Sequence, residues 1–140
     1  MTPAQVGQVA AAGGKLIVMP HADARVVRAA KKLGLIALPG FATPTEAFAM
    51  LEAGADGLKL FPAEGNPPAV LKAMRAVLPR EAAILPVGGI TPLNMSEYWK
   101  AGANGFGLGS ALYKPGSTVA EVTQRAQQFM RANQMLHSQL

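Results

Sequence analysis

Residues 43–62 read TPTEAFAMLEAGADGLKLFP, a helix followed by a strand, and they show how the rest of the chain is built. Thr43 is a good helix N-cap, Pro44 suits the first helical position, and Gly54 suits the left-handed residue that follows a helix. The run Gly57–Pro62 is then short and largely apolar, and its closing proline cannot continue a ladder, so it reads as a buried strand. The same punctuation recurs at Thr2-Pro3 with Gly13 and at Thr91-Pro92 with Gly102, the glycine falling eleven residues after the threonine each time. Each segment is therefore expected to be a helix of about ten residues. An apolar run follows each: Lys15 to Pro20, Gly57 to Pro62 and Gly105 to Ser110. Leu35 to Gly40 and Ala83 to Gly89 match them. Helices fit between, over Ala24 to Leu33, Pro68 to Leu78 and Thr118 to about Asn133, with apolar residues at helical spacing.

Five short buried strands alternating with helices predict an α/β fold with a parallel sheet. Two architectures satisfy that pattern, an open doubly wound sheet and a (β/α)8 TIM barrel. A doubly wound sheet usually carries a glycine-rich turn after its first strand, and none stands near Pro20. The glycines cluster instead after the last two strands, in Val87-Gly88-Gly89-Ile90-Thr91 and Gly105-Phe106-Gly107-Leu108-Gly109-Ser110. Barrels commonly bind phosphate there through loop amides. The barrel is the expected fold. Gly88, Gly89, Gly109 and Ser110 are the expected phosphate-binding residues, although glycines at these points would also simply permit tight turns.

Lys59 is a charge inside a buried strand. Stripping an ammonium of water is costly, and a lysine so placed readily becomes a neutral amine, the nucleophile that forms Schiff bases with ketones. Strand side chains alternate, so Lys59 and Phe61 face one way and Leu58 and Leu60 the other. The aliphatic pair suits the helix layer, which sends Lys59 into the barrel lumen near its mouth. The other reading is an edge-strand lysine in solvent.

The 140 residues suffice for a single domain with a substantial core, and half of them are hydrophobic. No apolar run approaches the roughly 18 residues of a membrane span, and the N-terminus lacks a signal-peptide pattern. There is no cysteine, which excludes disulfides and thiolate metal sites and is compatible with a reducing cytoplasm. The two histidines are too few to argue for a metal centre. The net charge of +5 is scattered along helices, which suits a solvated face and an anionic substrate better than nucleic acid.

Taken together, Leu58-Lys59-Leu60-Phe61-Pro62-Ala63-Glu64, Pro39-Gly40-Phe41-Ala42-Thr43-Pro44-Thr45-Glu46, Pro86-Val87-Gly88-Gly89-Ile90 and Gly107-Leu108-Gly109-Ser110 resemble the 2-keto-3-deoxy-6-phosphogluconate/6-phosphogalactonate aldolases. These are class I pyruvate aldolases, and the 6-phosphogalactonate branch is the nearer likeness over Phe61 to Pro79. The resemblance implies that Lys59 is the Schiff-base residue, with Gly88, Gly89, Gly109 and Ser110 on the substrate phosphate and Pro39, Thr43 and Phe61 around the mouth. It implies a small phosphorylated 2-keto acid as substrate, no cofactor, no metal, and a cytoplasmic homo-oligomer, a trimer, with no nucleic-acid or membrane partner. Family members are longer, so residues 1–140 are expected to be the C-terminal part of a barrel, after its third strand. The earlier strands would carry a carboxylate-gripping arginine and an acid/base glutamate. Neither Glu64, in a loop, nor Glu46 and Glu52, on a helix, obviously replaces that glutamate, and His137 is expected in a frayed tail. Two readings follow: an aldolase, or a catalytically incomplete remnant that only binds phosphate or a partner.

Overall fold

In the computed structural model, which describes residues 1–138, helices and short strands alternate as their punctuation predicts. The helices are α1 (Pro3–Ala11), α2 (Ala24–Lys32), α3 (Pro44–Glu52), α4 (Pro68–Arg75), α5 (Met95–Lys100) and α6 (Val119–His137). The strands are β1 (Leu16–Val18), β2 (Ile36–Leu38), β3 (Gly40–Phe41), β4 (Leu58–Leu60) and β5 (Ile84–Pro86). Every ladder is parallel: β1 with β2, and β3 with β4 and β4 with β5.

The helix ends follow local chemistry. Thr2 with Gln5, Thr43 with Glu46 and Thr118 with Glu121 each close a capping box, in which hydroxyl and side-chain carbonyl satisfy orphan amides reciprocally. The Thr91 segment carries Asn94 at the corresponding place. Asn94 Oδ1 accepts from the Thr91 amide at 2.9 Å while its Nδ2 donates to the Gly89 carbonyl at 2.9 Å. That makes a separate turn, and the helix starts only at Met95. Gly13, Gly54 and Gly102 all have positive φ, as the helix-closing reading requires.

Two expected strands differ from the prediction. The run Leu35 to Gly40 divides at Pro39, which has no N–H to give, so β2 pairs only with β1 and β3 only with β4. Gly105 to Ser110 forms a single bridge, Val87 to Gly107, instead of a ladder. Three glycines in six residues leave it few side chains to hold a strand in register. The last helix runs on to His137, whose ring packs edge-on against Trp99 with centroids 4.9 Å apart, so His137 is not in a frayed tail.

Alternation along the strands sorts the two sides of the sheet. Ile17, Ala37, Leu58, Leu60 and Ile84 are buried in the core together with Val26, Val27, Ala47, Met50, Leu71 and Met74 of the helices. The other side carries Leu16, Val18 and Ile36, which are 45–50% exposed, and continues through half-buried Leu38, Lys59 and Leu85. A Cβ on Gly57 would meet Leu38 Cδ2 at 2.9 Å and the Ala83 methyl at 3.5 Å, so the glycine lets Leu38 of the first sheet pack close against the start of β4 in the second. Among the described residues no helix is long and apolar enough to cross a membrane.

Arg75 fastens the end of the sheet away from the glycine-rich turns. Its Nε donates to the Gly102 carbonyl at 2.8 Å, one terminal nitrogen to the Ala82 carbonyl at 2.7 Å, and the other to Asn104 Oδ1. Asn104 Oδ1 also accepts from the Ile84 amide at 2.9 Å, so the guanidinium joins α4, β5 and the turn after α5. Arg75→Ala removes the donor to the Gly102 and Ala82 carbonyls, leaves Asn104 Oδ1 only its bond from the Ile84 amide, and is expected to cost roughly 2–4 kcal/mol in urea unfolding. Arg75→Lys, with one point of attachment instead of a fork, should recover less than half of that loss.

Candidate functional site

Lys59 lies at the centre of β4, between buried Leu58 and Leu60, with its side chain on the open face. Its amide donates to the carbonyl of Pro39 at 2.9 Å, and the Pro39 ring is fully buried. The Lys59 ammonium sits over the Phe61 ring, 4.4 Å from its centroid, a cation–π contact that leaves it without a carboxylate partner among the described residues. Burial pushes its pKa below the ordinary lysine value. Strand parity places the side chain on this face, and desolvation favours the free amine there, outweighing the attraction of the Phe61 ring for the ammonium.

Phe61 leads into a cavity of ≈ 430 Å³ at the end of the strands, which Gly88, Gly89, Gly109 and Ser110 also line. Lys59 itself lies outside this cavity and touches it through Phe61. Gly88 and Gly89 have φ of 101° and 63°, a conformation open to glycine and strained for other residues. The Gly109 carbonyl accepts from Leu112 at 2.9 Å and Tyr113 at 3.0 Å, so the chain turns directly after Gly109. Among the described residues no acceptor is bonded to the amides of Gly88, Gly89, Ser110 or Ala111. Residues with unpaired backbone donors around one concavity can supply an anion-binding arrangement.

Thr43, expected at the mouth, is exposed, and its hydroxyl is committed to the α3 cap, donating to Glu46 Oε2 at 2.9 Å and accepting from the Glu46 amide at 3.3 Å. The same carboxylate accepts from the Ala42 amide, and the Ala42 and Thr43 bonds hold its pKa below the usual glutamate range. Three cavity residues carry chemistry that the sequence reading did not assign: Glu64, Thr91 and Lys114. Glu64 belongs to the single turn Ala63–Gly65, which is pinned by the Tyr98 hydroxyl donating to the Ala63 carbonyl at 2.8 Å and by Asn66 Nδ2 donating to Pro62 at 2.9 Å. Its side chain lies across the glycine pair: a Cβ on Gly88 would collide with Oε2, and one on Gly89 would come within 2.6 Å of Cγ.

The profile of the KDPG and KHG aldolase family matches residues 1–128 of this chain. The chain belongs to that family. It is 47% identical over 126 residues to a probable 2-dehydro-3-deoxy-6-phosphogalactonate aldolase of Rhizobium meliloti, covering 90% of this chain and 59% of that protein. It is 45% identical over 132 residues to the 2-dehydro-3-deoxy-6-phosphogalactonate aldolase of Escherichia coli, covering 94% and 64% respectively. A solved structure described as native KDPGal superposes with a TM-score of 0.96 at 44% identity, over all of this chain and 68% of that one. The chain thus spans about three-fifths of the length of the curated aldolases it matches.

Proposed function

We propose that this protein cleaves 2-keto-3-deoxy-6-phosphogalactonate to pyruvate and glyceraldehyde 3-phosphate through a Schiff base on Lys59. The observation that carries the reading is the desolvated Lys59 on β4, joined through Phe61 to a cavity lined with unpaired amides. The 45–47% identity to proteins named for that cleavage supports the choice of substrate.

In the proposed reaction the Lys59 amine adds to the C2 ketone, and loss of water gives an iminium. The iminium accepts the electron pair of the C3–C4 bond when the C4 hydroxyl gives up its proton. Glyceraldehyde 3-phosphate leaves, and the resulting enamine is protonated at C3 and hydrolysed to pyruvate and free Lys59. By family resemblance the proton acceptor is a glutamate on an earlier strand; Glu46 is committed to its cap. Gly88, Gly89, Gly109 and Ser110 hold the phosphate, and this remote binding aligns the reacting carbons. Pro39 and Phe61 set the position of the lysine from behind and from the side. The resemblance also supports a (β/α)8 barrel, with residues 1–140 as a single domain that is its C-terminal part, and a cytoplasmic homotrimer.

Pyruvate release, coupled to lactate dehydrogenase, tests the reading. The galactonate epimer should be cleaved at least about tenfold faster than the gluconate epimer, a difference of roughly 1.4 kcal/mol at one stereocentre. A preference for gluconate overturns the choice of epimer, and cleavage of neither by a protein that carries the earlier-strand glutamate overturns the assignment of the reaction.

A further inference from the structure

A phosphate ester near neutral pH carries between one and two negative charges, and amide dipoles alone leave much of that charge uncompensated. The cavity holds two ionic side chains, Glu64 and Lys114. Neither belongs to an ion pair among the described residues. Lys114 follows Ser110 by four residues across the turn begun at Gly109, and its own amide donates to Ser117 Oγ at 3.4 Å. Lys59 cannot serve as the counter-charge, because it lies outside the cavity and its ammonium is stacked on Phe61. Glu64 lies against Gly88 and Gly89, where its charge opposes an incoming anion.

We propose that Lys114 is the cation that selects phosphorylated substrates, and that Glu64 sets an upper limit on how tightly the cavity holds them. This rests on the reading of the cavity as the phosphate site. Lys114 supplies a mobile point charge where the unpaired amides supply direction. Glu64 keeps the three-carbon phosphate product from being retained after cleavage.

The two charges predict effects of opposite sign. Glycerol 3-phosphate, with glycerol as its uncharged counterpart, is titrated into the protein and followed by calorimetry and amide NMR shifts. The unaltered protein should bind the phosphate and not glycerol. Lys114→Ala should weaken binding about tenfold, the loss of one charge-assisted contact, with Lys114→Arg staying within about threefold of the original. Glu64→Gln should tighten binding about threefold, a result that a purely structural role for either residue would not give.

Unchanged binding in Lys114→Ala would overturn the role of Lys114 while leaving the cavity as a phosphate site. Unchanged or weaker binding in Glu64→Gln would overturn the limit set by Glu64. No phosphate binding by the unaltered protein would remove the parent reading together with this one. Near-UV circular dichroism separates either variant from a folding defect, and Lys114→Arg keeps the test decisive should the alanine variant misfold.

Discussion

Lys59→Met is expected to abolish aldol cleavage, by at least about 10⁴-fold in kcat, because a thioether cannot form the iminium that serves as electron sink. Incubation with pyruvate and borohydride should leave a reduced adduct on the peptide containing Lys59 and none on the variant. An adduct on Lys15 or Lys72 would sink the assignment. The same substitution bears on stability with a definite sign. Desolvation lowers the pKa of Lys59 in the folded chain, so the unfolded chain binds more protons across the interval between the two values. Stability therefore rises with pH from the depressed value up to the ordinary one, and at neutral pH the folded ammonium is a net cost. Methionine removes that cost while keeping the linear stem between Leu58 and Leu60, so the variant should melt no lower than the unaltered protein. A dead enzyme of equal or greater stability is the signature of a residue placed for chemistry; a dead and unfolded one would mean that Lys59 is structural.

What could be read from the residues was what is decided locally. The threonine, proline and glycine punctuation gave helix ends because caps and left-handed glycines act within one turn, and α1 and α3 start and stop where it says. Strand parity separated Lys59 from Leu58 and Leu60 because alternation needs no knowledge of the partner strand. What depends on a neighbour was not legible. The division at Pro39 comes from which side each half of the run must bond, and Gly105 to Ser110 is reduced to one bridge by the lack of side chains to fix its register. Asn94 looked like any residue three beyond a threonine, yet its shorter side chain diverts the turn to Gly89. Glu64 reads as a loop acid and is exposed, but the turn held by Tyr98 and Asn66 lays it over the glycine pair. The four-residue step from Ser110 to Lys114 was a usable signal for the cavity's cation.

Placing a side chain at Gly109 is expected to raise KM for the phosphorylated substrate about thirtyfold and to change reaction with the unphosphorylated analogue less than twofold. Gly109 and Gly89 both belong to the candidate phosphate site, yet they are not equivalent test positions. A Cβ at Gly89 meets Glu64 Cγ at 2.6 Å and sits on a backbone with φ of 63°, so even alanine there strains the fold before any ligand arrives. At Gly109 a Cβ has nothing within 4 Å, and its φ is not positive. Gly109→Val should therefore fold normally and act only by filling the space through which phosphate reaches the Ser110 and Ala111 amides. Losing most of two charge-assisted hydrogen bonds, tempered by their partial replacement with water, amounts to about 2 kcal/mol, which is the thirtyfold expected. Gly89→Ala should instead lower the melting temperature and impair both substrates together. Were Gly109→Val to lose both activities equally while retaining its thermal stability, the phosphate would have to bind elsewhere, because a side chain that disturbs nothing in the fold can discriminate between the substrates only at the point where they differ.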